Sequence, residues 1–168
     1  LIDILLKSNF KVLLRPHFKT LKESEKLIET IIKKFGKNPD FILEKGIIPP
    51  ELFHSSTCMI SDWSGISLEY AFTFERPVIF IDVPKKILNH NSNDICLEPI
   101  EISIRHKIGY VIFPNNLGKI PNLITSSNEN MCEQIKKIRP KTVYNIEGSA
   151  AVGAKYIQQL INETGSFN

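Results

Sequence analysis

The sequence predicts an α/β fold, a Rossmann-like parallel sheet with helices on both faces. Three observations point to it. Short apolar runs alternate with segments of helical periodicity along the whole chain. Each run is continuously apolar instead of alternating, as strands covered on both faces are. No apolar run approaches the ~18 residues that a bilayer span needs, and no internal repeat divides the chain.

Leu1 to Lys7 reads as the tail of a helix, closed by Ser8-Asn9. Lys11 to Leu14 is a strand that Pro16 stops at Arg15, because proline disfavours what would continue it. Thr20 to Phe35 is expected to be one amphipathic helix: Leu21, Leu27, Ile28, Ile31, Ile32 and Phe35 recur at helical spacing, with Gly36 placed to end it. Asp40 to Leu43 is the second strand. Pro49-Pro50 opens a short helix, since proline is tolerated in a first turn. Cys58 to Ile60 is the third strand, Gly65 to Phe74 the next helix, and Val78 to Ile81 the fourth strand. From Asp82 to Lys107 the periodicity dissolves, and a long stretch of that kind reads as a functional or mobile loop. Through Asn89 to Asp94 it is expected either to close over part of a ligand or to be an insertion without ligand contact. Tyr110 to Phe113 restores a strand, Leu117 to Ile124 and Asn128 to Ile138 are helices, and Gly148-Ser149 introduces a last helix from Ala150 to Ile161.

At 168 residues the chain reads as a single nucleotide-binding domain spanning 1–168, long enough to bury a core. Its first residue, Leu1, lies inside an apolar segment, so an upstream amino-terminal domain is expected to precede it. The net charge is +3, and basic residues come as isolated pairs (Lys33-Lys34, Lys85-Lys86, Lys136-Lys137) instead of a stripe with interleaved aromatics. That speaks against nucleic acid as a partner and fits an anionic small ligand or an anionic membrane surface. Three scattered cysteines (Cys58, Cys96, Cys132) suit a reducing, cytoplasmic setting and not a disulfide scaffold. With no metal-ligand spacing among cysteines and histidines, neither a metal site nor a cofactor is expected.

In parallel sheets, ligands bind beyond the carboxyl ends of the strands. The polar residues that follow the strands here are Arg15 and His17, Glu44, Ser61, Asp62 and Ser64, and Asp82. Arg15-Pro16-His17 is a rigid corner. Its arginine either clamps a phosphate or meets a neighbouring acid, and its histidine either moves a proton or is an ordinary polar residue. Ser61-Asp62-Trp63-Ser64-Gly65 joins a strand to a helix N-terminus, where backbone N–H groups and the helix dipole favour a phosphate. Its plain alternative is helix capping by serine or aspartate. Glu69, one turn further, is spaced to reach a ribose hydroxyl or is simply a solvated carboxylate. Ser149 opens the last helix in the same two-sided way. Trp63 is either a base-stacking platform or a packing anchor.

These motifs resemble the CDP-glycerol glycerophosphotransferase family. Arg15-Pro16-His17, then Ile60-Ser61-Asp62-Trp63-Ser64, Leu68-Glu69-Tyr70-Ala71, Arg76-Pro77-Val78-Ile79-Phe80 and Glu147-Gly148-Ser149-Ala150 follow the family's order, with Trp63 in place of its tyrosine. The resemblance implies the carboxy-terminal half of a GT-B enzyme of teichoic-acid-type or capsular polymer synthesis, peripheral at the inner face of the cell membrane. It implies a CDP-glycerol or other CDP-polyol donor, and a polyol-phosphate or glycan acceptor. His17 would act at the phosphoryl-transfer centre with Arg15 beside it. Ser61, Asp62, Ser64 and Gly65 would cradle the diphosphate, and Glu69 would accept from the ribose. Two other readings stay open: a GT-B glycosyltransferase or epimerase using a UDP- or CMP-sugar, and a non-catalytic interaction module.

Overall fold

The computed structural model of the chain describes residues 1–47, 49–84, 98–126 and 128–164. It is a mixed α/β domain with short parallel sheets. In chain order the elements are α1 (Ile2–Lys7), β1 (Val12–Leu14), α2 (Phe18–Glu23), α3 (Glu25–Phe35), β2 (Phe41–Leu43), α4 (Pro50–Ser55), β3 (Met59–Ser61), α5 (Ile66–Phe74) and β4 (Val78–Ile81). They continue with α6 (Ile100–Ser103), α7 (Arg105–Ile108), β5 (Gly109–Ile112), a kinked 3-10 segment (Pro114–Lys119), α8 (Ile120–Thr125), α9 (Glu129–Thr142) and α10 (Ser149–Thr164).

All described strand pairs are parallel, and they form two ladders. β1 pairs with β2, while β4 lies between β3 and β5. The single continuous sheet expected from the sequence is therefore divided. Apolar packing joins the parts: Phe10, Val12 of β1 and Ile60 of β3 pack on one buried cluster that holds Leu5, Ile79 and Ile120. Periodicity identifies a buried strand but carries no information on its hydrogen-bonded neighbour.

The three-stranded sheet is covered on both sides, and β4 shows how. Val78 and Phe80 point to one face, packed with Tyr70, Ala71 and Phe72 of α5, Ile104 and Ile108, and Ile135 of α9. Ile79 and Ile81 point to the other, against Leu5 of α1 and Ile120 and Ile124 of α8. That alternation is the period of two of an extended strand. Burying side chains of this size contributes about 1.5–3 kcal/mol each.

Several expectations need correction. The helix predicted over residues 20–35 is two helices, broken at Ser24, whose backbone is non-helical (φ −132, ψ 44). Ser24 instead starts α3, its carbonyl accepting the N–H groups of Leu27 and Ile28 at 3.0 and 3.2 Å. Serine favours such ends over helix interiors. α9 runs four residues past the expected Ile138, across Pro140, to Thr142. The stretch from Asp82 to Lys107 is not all loop. Its described carboxy-terminal part forms α6 and α7, with Ile104 between them and Ile108 at the end of α7 buried. Four-residue helices are too short for periodicity to reveal. Asn89 to Asp94, the expected ligand-closing segment, lies outside the described residues.

Gly109 faces Val78 across the β4–β5 ladder, and a Cβ there would stand 1.9 Å from the Val78 carbonyl oxygen. Both partners are backbone, so neither can step aside. Gly109→Ala is expected to destabilise the domain by about 3 kcal/mol or more, read as a lower denaturant midpoint. An unchanged midpoint would show that β4 and β5 do not approach this closely.

Candidate functional site

The strand–turn–helix corner forms where the sequence places it. β3 ends at Ser61, and α5 begins at Ile66 behind Gly65. The corner is closed by backbone atoms. The Ser64 carbonyl accepts Ser67 N–H at 3.1 Å and the buried Ser67 hydroxyl at 2.6 Å, while the Gly65 carbonyl accepts Leu68 N–H at 3.0 Å and Glu69 N–H at 3.4 Å. No side chain caps α5. The hydroxyls of Ser61 and Ser64 and the carboxylate of Asp62 are thus not consumed by the helix start, and capping by Ser or Asp side chains is not what these residues do. A nine-residue helix begins here with its positive dipole end on the same corner; the N–H groups of residues 67–69 are spent on the Ser64 and Gly65 carbonyls, which leaves those of Gly65 and Ile66.

Trp63, at the centre of the turn, is pinned on the β4 side. Its Nε1–H donates to the Val83 carbonyl at 2.7 Å, and the Arg105 guanidinium stacks 3.9 Å from its ring centroid. Arg105 in turn donates through Nη1 to Asp82 Oδ1 at 2.8 Å. Asp82 N–H donates to the Ile112 carbonyl at 2.8 Å, which ties the exits of β4 and β5 together. The packing-anchor role of Trp63 is therefore realised, and Asp82 serves as the partner of a buried arginine.

Arg15 and His17 are exposed at the exit of β1. His17 also caps α2: Nδ1 accepts Lys19 N–H at 3.2 Å, and the ring lies 4.3 Å from that of Phe18. An accepting Nδ1 puts the proton of the neutral ring on Nε2, which makes that nitrogen a donor. The sequence carried no sign of this cap, because histidine is not among the usual capping residues.

Two cavities open near these elements. One, of about 550 Å³, is lined by Glu69 and Thr73 of α5, Arg139 and Thr142 of α9, the 143–147 connection and Ser149. Glu69 and Ser149, far apart in sequence, thus share a wall. The connection into α10 contains two non-glycine residues in the left-handed region, Asn145 (φ 53) and Glu147 (φ 65), a conformation that costs about 1–2 kcal/mol for residues with a Cβ. The other cavity, of about 750 Å³, lies past β4 and β5 and is lined by Trp63, Asp82, Glu98, Arg105, His106 and Phe113 among others. Arg15, His17, Ser61, Asp62, Ser64 and Gly65 line neither.

Away from the corner, Arg76 donates from Nη1 to the carbonyls of His54 (2.6 Å) and Ser56, and Tyr70 shares a 3.0 Å hydrogen bond with the Ser56 hydroxyl. These contacts hold α4 against the start of β4. Burial pushes the Cys58 thiol from an ordinary 9.0 up to about 11, so it stays protonated and unreactive at neutral pH. Among the described residues no three His, Cys, Asp or Glu side chains gather as a metal site would require, and no helix is long and apolar enough to cross a membrane.

Fold and site together define a parallel α/β domain with an uncapped helix N-terminus at a strand exit. The chain matches no family model, no curated protein and no solved structure.

Proposed function

We propose that this chain is the nucleotide-binding domain of a transferase, Rossmann-like and of GT-B type, that uses a CDP-activated polyol such as CDP-glycerol. The observation that carries this is the turn 61–65: two hydroxyls and a helix N-terminus meet at one corner, and no side chain there closes the helix. A diphosphate is the ligand class that such a corner accommodates best. Glu69, one helical turn on, and Ser149 share a cavity wall suited to a ribose. In this scheme the Ser61–Gly65 turn holds the diphosphate and Glu69 accepts from a ribose hydroxyl. His17 Nε2–H, with Arg15 beside it, donates a hydrogen bond to the phosphoryl group under attack by an acceptor hydroxyl; the new P–O bond forms as the P–O bond to the nucleoside monophosphate breaks, and the hydroxyl's proton leaves with that monophosphate. The protein supplies position and charge compensation. The acceptor is a polyol phosphate or glycan, and synthesis of a cell-surface polymer at the inner face of the membrane is the setting.

Thermal unfolding with CDP, CDP-glycerol, UDP and UDP-sugars tests the proposal. A ligand at a hundred times its Kd adds about 2.7 kcal/mol, which raises Tm by roughly 5 °C or more in a domain of this size. Cytidine nucleotides are expected to give that shift. Protection by uridine nucleotides alone would replace the donor with a sugar nucleotide, and no protection by any nucleotide would leave an interaction module.

A further inference from the structure

Among the described residues, four non-glycine residues have left-handed backbone, and they are unevenly placed. Asn145 and Glu147 line the cavity of about 550 Å³ beside α5. Glu75, at the end of α5, holds the Arg139 of that cavity through a 3.0 Å ion pair. Three of the four thus border or brace one place. Strain of this kind persists only where the surrounding structure holds it, and it clusters at ligand sites. Arg139 lines the cavity with unused donors. Its side chain is 31 % exposed, and its N–H groups beyond the Glu75 bond have no partner among the described residues. None of its nitrogens is buried without one, so the guanidinium is braced by Glu75 and still accessible.

The lining points to a ligand class. Leu68, Phe72 and Val143 give the cavity apolar surface that continues into the main core cluster. Tyr144, also in the lining, is 78 % exposed and offers a ring on which a planar group stacks. Three carboxylates, Glu69, Glu75 and Glu147, stand with the one guanidinium. An anion is repelled by that balance, whereas a neutral ring with both acceptors and donors is matched by it. We propose that this cavity takes the base of the bound nucleotide and that Arg139 makes it select cytosine, an inference that rests on the nucleotide-binding reading of the chain. Cytosine presents two adjacent acceptors, O2 and N3, to an arginine, and its N4 amino group to a carboxylate such as Glu147. Uracil carries an N–H at position 3, which sets donor against donor. The placement along α5 agrees. The cavity begins at Leu68 and Glu69, about 6 Å beyond Gly65 at 1.5 Å per residue. A diphosphate on the turn 61–65, a ribose at Glu69 and a base further on therefore follow one helix in order.

The 168-residue chain is titrated with CDP and with UDP by calorimetry. It is expected to bind CDP about tenfold or more tighter than UDP, the discrimination that one good arginine–base pairing supplies. Arg139→Lys keeps the charge beside Glu75 but lacks the paired donors, and is expected to lose most of that preference by weakening CDP and not UDP. Tyr144→Ala, at an exposed position outside the core, is expected to weaken both nucleotides about tenfold through lost stacking. It keeps the test available should Arg139→Lys not fold. An unchanged CDP-to-UDP ratio in Arg139→Lys, or unchanged affinities in Tyr144→Ala, overturns the base site, while CDP binding by the parent chain keeps the nucleotide-binding reading. Equal affinity of the parent chain for CDP and UDP overturns the selection by Arg139. Failure of either nucleotide to bind overturns both readings together.

Discussion

Ser64→Glu is expected to abolish binding of a nucleotide diphosphate while leaving the domain folded. The Ser64 carbonyl, not its side chain, closes the first turn of α5, so the substitution removes no structural hydrogen bond. A carboxylate at a helix N-terminus is favourable to the helix itself. Facing a diphosphate, the same charge is repelled and competes for the same N–H groups. Juxtaposed like charges cost several kcal/mol, so affinity should fall by about two orders of magnitude or more. Ser64→Ala, which loses one hydroxyl, should fall by about tenfold. Calorimetry with CDP measures both, and an unchanged affinity in Ser64→Glu would move the phosphate site elsewhere.

His17 calls for a pair of variants, because it has a structural role as well as the proposed chemical one. Its Nδ1 caps α2, so His17→Ala loses a cap, at about 1 kcal/mol, together with the imidazole. His17→Asn retains a good capping residue and lacks the ring Nε2–H. Both variants are expected to reduce turnover of the enzyme carrying this domain by about two orders of magnitude or more, with smaller effects on donor affinity. Only His17→Ala should lower Tm. Recovery of wild-type turnover in His17→Asn would reduce His17 to the cap.

These two tests address residues legible in the sequence, and the legibility has a local cause. A strand that ends in Ser61-Asp62 and a helix that begins near Gly65 are specified by residues within a few positions of each other. The corner therefore forms where patterning places it. The same holds for the rigid Arg15-Pro16-His17 exit and for the apolar runs that become β1 to β5. Even so, the sequence reading left open whether Ser61, Asp62 and Ser64 are caps or ligand-facing groups. The backbone closure by the Ser64 and Gly65 carbonyls answers the capping half of that question.

By itself, then, the sequence determined the α/β class, the five strands, most helices and the polar residues at the strand exits. All follow from short-range periodicity and turn chemistry. The tertiary structure decided the rest. It divided the strands into a two-stranded and a three-stranded ladder, made helices of residues 100–103 and 105–108, and brought Glu69 and Ser149 to one wall. It also seated Arg105 on Trp63 and Asp82, with no signal in the residues flanking it. A lone arginine in a polar stretch reads as solvated surface, because its burial depends on partners about 20 and 40 positions away that only folding brings within reach.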